Sequence, residues 1–183
     1  MGTYNQGKAD LAVAQTWTAA QTFGSGLLKG NDVAFPAVQV ASTDANTLDD
    51  YEEGTFDPTI TSVGGGAAAA YTAQDGAYVK IGQLVVVSFD VTLNGKGTLG
   101  AGQAQVGALP FSRLVTDGNY PGLALAYFSG MTTSVVFIFG NVSGTVIGMQ
   151  MLTAAATGAS DMNISDISTA VRLAGTVSYR ATA

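Results

Sequence analysis

Between Leu84 and Leu93 the chain alternates: Val85, Val87, Phe89, Val91 and Leu93 fall on one side, and Ser88, Asp90 and Thr92 fall on the other. This is the period of a half-buried strand, and an α-helix would scatter the same five residues around its axis. Val86 interrupts the polar side and predicts contact with a neighbour. The pattern returns near the end, where Val171, Leu173, Val177 and Tyr179 oppose Arg172, Thr176, Ser178 and Arg180. Further short apolar runs at 56–63, 67–72, 77–81, 104–109, 120–128, 134–139 and 145–152 are separated by turn residues. Among these separators are Gly64-Gly65-Gly66, the hairpin signal Asp75-Gly76, and residues 141–144. About eight strands at this spacing predict an all-β fold, an antiparallel β-sandwich of jelly-roll-like type, over residues 59–183.

An acidic block precedes those strands. Asp44, Asp49, Asp50, Glu52, Glu53 and Asp57 follow one another with no basic residue between them, and their charge of −6 equals the net charge of the whole chain. Such a block repels itself and resists burial, so 47–58 reads as an acidic linker anchored by Leu48, Tyr51 and Phe56. Residues 1–46 then form an extended amino-terminal arm. Its apolar side chains are too sparse for a core of their own, and ordering each residue costs about 1–2 kcal/mol of backbone entropy. Trp17, Phe23 and Phe35 are therefore the candidate attachment or oligomer contacts, to be covered by neighbouring copies or other proteins.

Composition removes several function classes. The chain has no cysteine and no histidine, which excludes disulfides, thiolate chemistry and a Ser-His-Asp arrangement. Seven basic residues and an isoelectric point near 4.2 argue against a nucleic-acid partner. No apolar run reaches the length of a spanning helix, so no membrane partner is expected, and the amino terminus lacks the pattern of a signal peptide. Charged residues make up 11% of the chain, against about 25% in an ordinary domain, which predicts a surface largely covered by other subunits.

The constellations that carry chemistry are few. Gly95, Gly97 and Gly100 satisfy G-x-G-x-x-G, but the adjoining run 101–109 is short and closes on Pro110, so a hairpin loop is expected and no cofactor. Asp49 with Glu53, Asp50 with Glu52, and Asp57 with Asp90 are nominal acid pairs for glycoside hydrolysis, and the plain alternative is a solvated acidic turn. Oxygen ligation of calcium by Asp49, Asp50, Glu52 and Glu53, or by Asp161, Asn163 and Asp166, does not fit the usual loop spacing, and no metal is expected. Tyr120 lies between Asp117-Gly118-Asn119 and Pro121-Gly122, with Arg113 nearby. Arg113, Asp117, Asn119 and Tyr120 form the candidate binding loop, an aromatic ring with polar neighbours suited to a sugar face.

Three stretches in order, L-D-D-Y-E-E-G-T-F-D-P at 48–58, Y-V-K-I-G at 78–82 and G-A-L-P-F at 107–111, resemble the carboxy-terminal module of tailed-bacteriophage fibre and appendage proteins. A-Q-T-W-T-A-A-Q-T-F at 14–23 is similar to a phage-fibre shaft or entry segment. The resemblance implies a non-enzymatic virion component, a homotrimeric fibre or spike. Its arm would join other virion structural proteins, and its β module would meet a host-surface glycan or protein. Two alternatives stand beside it: a head or neck decoration that recognises nothing, and a polysaccharide depolymerase.

Overall fold

The alternation at Leu84–Leu93 folds as one central strand, and the sheets assemble around it. In the computed structural model the described residues are 51–182, apart from 69, 119, 120, 155 and 156. The chain divides into two units, Met1–Ala34 and Phe35–Ala183, and every described residue belongs to the second. The expected arm, with Trp17, Phe23 and Phe35, lies outside the described residues.

The described chain forms ten strands: β1 (Tyr51–Phe56), β2 (Thr59–Ser62), β3 (Tyr71–Ile81), β4 (Leu84–Leu93), β5 (Ala104–Gly107), β6 (Leu123–Met131), β7 (Val135–Ser143), β8 (Val146–Thr153), β9 (Ser160–Asp161) and β10 (Ile167–Arg180). They pair antiparallel in two sheets. The first has the order β1-β3-β4-β10-β6, and the second β2-β5-β8-β7, with β9 continuing beside β8. The fold is an all-β antiparallel sandwich.

Burial follows the period-two pattern. Val85, Val87, Phe89, Val91 and Leu93 of β4, with Val171, Leu173, Val177 and Tyr179 of β10, face inward. Ile60, Val106, Ile138, Val142, Ile147, Met149 and Met151 of the second sheet complete the same core. Each large side chain removed from water contributes about 1.5–3 kcal/mol, so this shared core is the main stabilising contribution. A turn at Ile164–Asp166 leads into β10; the Asp166 carboxylate accepts from the Asn163 N–H at 2.9 Å, closing a capping box.

Three expectations need correction. Residues 47–58 are not wholly linker, because Tyr51–Phe56 is the edge strand β1, paired in register from Tyr51↔Ile81 to Phe56↔Gly76. Its acids are tolerated because Glu53 is exposed and Glu52 accepts a hydrogen bond from the Tyr78 hydroxyl. Asp75-Gly76 is not a hairpin turn; β3 runs straight through it and turns at Gly82-Gln83. Gly76 is needed there for space, since a Cβ would lie 2.4 Å from Cε1 of Phe56. In β6 the sequence alternates in part, Leu123, Leu125 and Tyr127 opposing Ala124, Ala126 and Phe128, but the alternation breaks because a bulge against β10 shifts register between Ala174 and Gly175. Tyr127 consequently faces out, while Leu125 and Phe128 both pack on the core.

Candidate functional site

The three stretches that carry the phage resemblance meet in one place. Gly54 of β1 lies under the ring of Tyr78 of β3, so close that a Cβ would stand 2.8 Å from the phenol oxygen. The Tyr78 hydroxyl donates to Oε1 of Glu52 at 2.7 Å, which raises the tyrosine pKa through that bond first and burial second. The Tyr78 ring meets Phe111 edge to face, centroids 5.2 Å apart and planes at 83°. Lys80, buried and opposite Glu52 in the β1–β3 register, holds its Nζ 5.5 Å from the Phe111 centroid. Tyr179 of β10 closes the cluster by donating to the Phe111 carbonyl at 2.9 Å, and burial pushes its pKa up to about 12. The cluster joins β1, β3, β10 and the segment after β5, and its work is to hold that end of the sandwich together.

Of the candidate binding loop, Asn119 and Tyr120 lie outside the described residues. Asp117 ends a 3-10 turn, Val115–Asp117, stopped by Gly118 with φ 67°. Arg113 is turned onto the β7–β8 hairpin: its N–H donates to the Gly144 carbonyl at 2.9 Å and its Nη1 to the Val142 carbonyl at 3.2 Å. The guanidinium therefore pins the loop to the sandwich.

The carboxylates separate in the same way. Glu52 and Glu53 are consecutive in a strand and point to opposite faces, so they cannot share a cation or act across one bond. Asp49 and Asp50 lie outside the described residues. Asp161 accepts from Gln103 Nε2 at 2.9 Å, while Asp166 is occupied by the Asn163 N–H and, at 2.8 Å, by the Thr133 hydroxyl. These contacts make 161–166 a braced turn. Among the described residues no group of three or more acidic, histidine or cysteine side chains is arranged to hold a metal.

One acid pair does come together. Asp57 and Asp90 line an open cleft of about 600 Å³ on the outer side of β1, β3 and β4, with Thr55, Gln74, Asp75 and Ser88. Asp75 stands directly opposite Asp90. Like charges in that position repel, and Arg172 offsets this by gripping both oxygens of Asp90, at 3.0 and 2.6 Å. The Arg172 guanidinium also lies 5.2 Å from the centroid of the Tyr127 ring. Hydrogen bonding to Asp90, then its charge, raises the arginine pKa. Gln74 donates to the Pro58 carbonyl at 3.0 Å and fixes the cleft's end. Chemically this is a wall of carboxylate and hydroxyl oxygens able to accept from a hydroxyl-rich ligand. Sequence reasoning misses Asp75 because Asp75-Gly76 has the form of a turn. The available signal is the β3 alternation, with Tyr78 and Lys80 on one side and Asp75, Ala77 and Val79 on the other.

No family model, curated protein or solved structure matches the chain. No helix among the described residues is long and apolar enough to cross a membrane.

Proposed function

We propose that the chain is a structural protein of a tailed-phage particle, a homotrimeric fibre or spike that presents its β-sandwich to the host surface. The reading takes residues 1–46 as the part that joins other virion proteins. It takes the module as the part that meets a host glycan or protein, and it assigns no catalytic role. The observation that carries it is the packing of the three phage-like stretches onto one another through Glu52, Gly54, Tyr78, Lys80 and Phe111. That pieces distant in sequence share one cluster supports reading them together as one module signature. The cleft at Asp57, Asp75 and Ser88 supplies acceptors for sugar hydroxyls.

A second reading, polysaccharide depolymerisation, draws on Asp57 and Asp90 lining that same cleft. It is the weaker one, because both oxygens of Asp90 already accept from Arg172. The test is adsorption: purified full-length protein, added before infection, is expected to compete with particles for host cells without releasing reducing sugar. Absence of cell binding would favour the head or neck decoration. Sugar release that disappears in Asp57→Asn and Asp90→Asn would establish the depolymerase.

A further inference from the structure

Of the large apolar side chains left exposed among the described residues, five gather on the outer face of the first sheet: Tyr51 of β1, Val79 and Ile81 of β3, and Leu84 and Val86 of β4. Register makes them one surface. Tyr51 stands opposite Ile81, Ile81 opposite Leu84, and Val79 opposite Val86, and side chains paired in this way touch across the strands. A hollow of about 150 Å³ lies among them, lined by Ala77, Tyr78, Val79, Val86 and Ser88. β3 and β4 each have a paired strand on either side, so the patch is not an edge. Outward positions of a sheet that faces water are ordinarily polar, as Ser88, Thr176 and Ser178 are here. A contiguous apolar patch in such a place marks a contact surface.

The chain brings a segment of its own to that spot. Tyr51, where the described residues begin, stands in the patch, and β1 runs from there away from the turn at Gly82-Gln83. The residues before Tyr51 therefore enter the module beside Ile81 and Leu84. Residues 35–50 belong to the same compact unit as the sandwich. Their sequence divides in two: F-P-A-V-Q-V-A at 35–41 carries no charge, whereas S-T-D-A-N-T-L-D-D at 42–50 holds Asp44, Asp49 and Asp50. If 35–41 is extended, Pro36, Val38 and Val40 share one side. Fully extended, 42–50 reaches about 30 Å, and the crossing from β1 to β4 needs only about 10 Å.

We propose that residues 35–41 of the same chain lie across this patch, with Val38 and Val40 against Val79, Ile81, Leu84 and Val86, while 42–50 carries its acids round the end of the sheet in water. The tether decides the occupant. A connection of this length holds the segment at about millimolar effective concentration. A second copy must instead arrive from dilute solution, with a net charge of −6 against the same charge. The inference goes beyond the appendage reading and does not depend on it, since a lone chain suffices. It assigns 35–41 to the module and leaves the residues before them for attachment.

The chain has no cysteine, so single thiols can be placed in the full-length protein. Val86 and Thr72 are both exposed, and the fold should tolerate Val86→Cys and Thr72→Cys. A maleimide should label Val86→Cys slowly, and adding Val38→Asp with Val40→Asp should raise that rate about tenfold, since access governs thiol reaction. The same two charges should leave the rate at Thr72→Cys, at the other end of β3, unchanged. Circular dichroism should not move, because 35–41 lies outside the sandwich strands. With Val38→Cys and Val86→Cys together, a short bis-maleimide should join the two thiols within one chain, at single-chain mobility on a denaturing gel. A labelling rate at Val86 that ignores the two charges overturns the proposal. Cross-links that join two chains overturn it as well and give the patch to a second copy. Neither outcome bears on adsorption to host cells, so failure here and failure of the appendage reading are told apart.

Discussion

Gly54 shows how a single residue can join distant parts of the chain. It has no side chain because the Tyr78 ring occupies that space, and the ring is held there by Glu52 and Phe111. Gly54→Ala forces the ring aside and is expected to cost about 1–3 kcal/mol, the usual range for overpacking. Tyr78→Phe removes a charge-assisted hydrogen bond and should cost about 1–2 kcal/mol. Because both changes disturb one contact, the double variant should lose less than the sum, measurable by urea unfolding followed by circular dichroism. Strict additivity would show that the ring and the glycine are energetically independent. At this scale a sequence is legible only through its local pairs of residues, which is why Asp75-Gly76 has the look of a turn. The Phe56 ring that makes Gly76 necessary comes from a strand some twenty residues away, and no local rule contains it.

Elements whose two faces meet different surroundings are legible in the sequence. β4 and β10 alternate cleanly because one face is core and the other solvent, and the residues that the alternation places inward are the buried ones. β1 is not legible, since its acids obscure a strand whose partners lie on β3. β6 is only half legible, because a bulge leaves no trace in hydropathy. β10 also carries a pH prediction through Tyr179. Its folded pKa is raised to about 12, above the ordinary tyrosine value of 10.0. The folded state therefore holds the phenolic proton more tightly than the unfolded state. The resulting stabilisation is complete below pH 10 and is lost as pH rises towards 12. The melting temperature should fall across that window, and Tyr179→Phe should fall less steeply; Tyr51 and Tyr78, whose pKa values are also raised, keep part of the slope. An unchanged slope would mean that Tyr179 ionises equally well in both states. In the turn before β10, Asp166→Ala removes the acceptor for the Asn163 N–H and should cost about 1 kcal/mol, read as a shift in the urea midpoint.

Among the described residues, β2, β5, β7 and β8 carry no charged residue and the exposed Asp161 of β9 is the charge beside them, an unevenness invisible to composition because composition averages the two sheets. The low charge content leads to an expectation of covered surface, and among the described strands charge is sparsest in the second sheet. The candidate site is less legible than the fold. Arg113 has the sequence context of a surface contact, yet it binds main-chain carbonyls, whereas Asp57 and Asp90, a nominal pair in the sequence, share a cleft. A pair of this kind depends on strand register, which a lone sequence does not print. The central claim is that the chain stands on a phage particle as a trimer, attached through residues 1–46. An electron-microscopy map of the intact particle tests attachment end and copy number together. The account predicts three copies per appendage, the amino-terminal arm against the particle and the β-sandwich outward. A map with the sandwich against the particle and the arm outward, or with single copies, would contradict it.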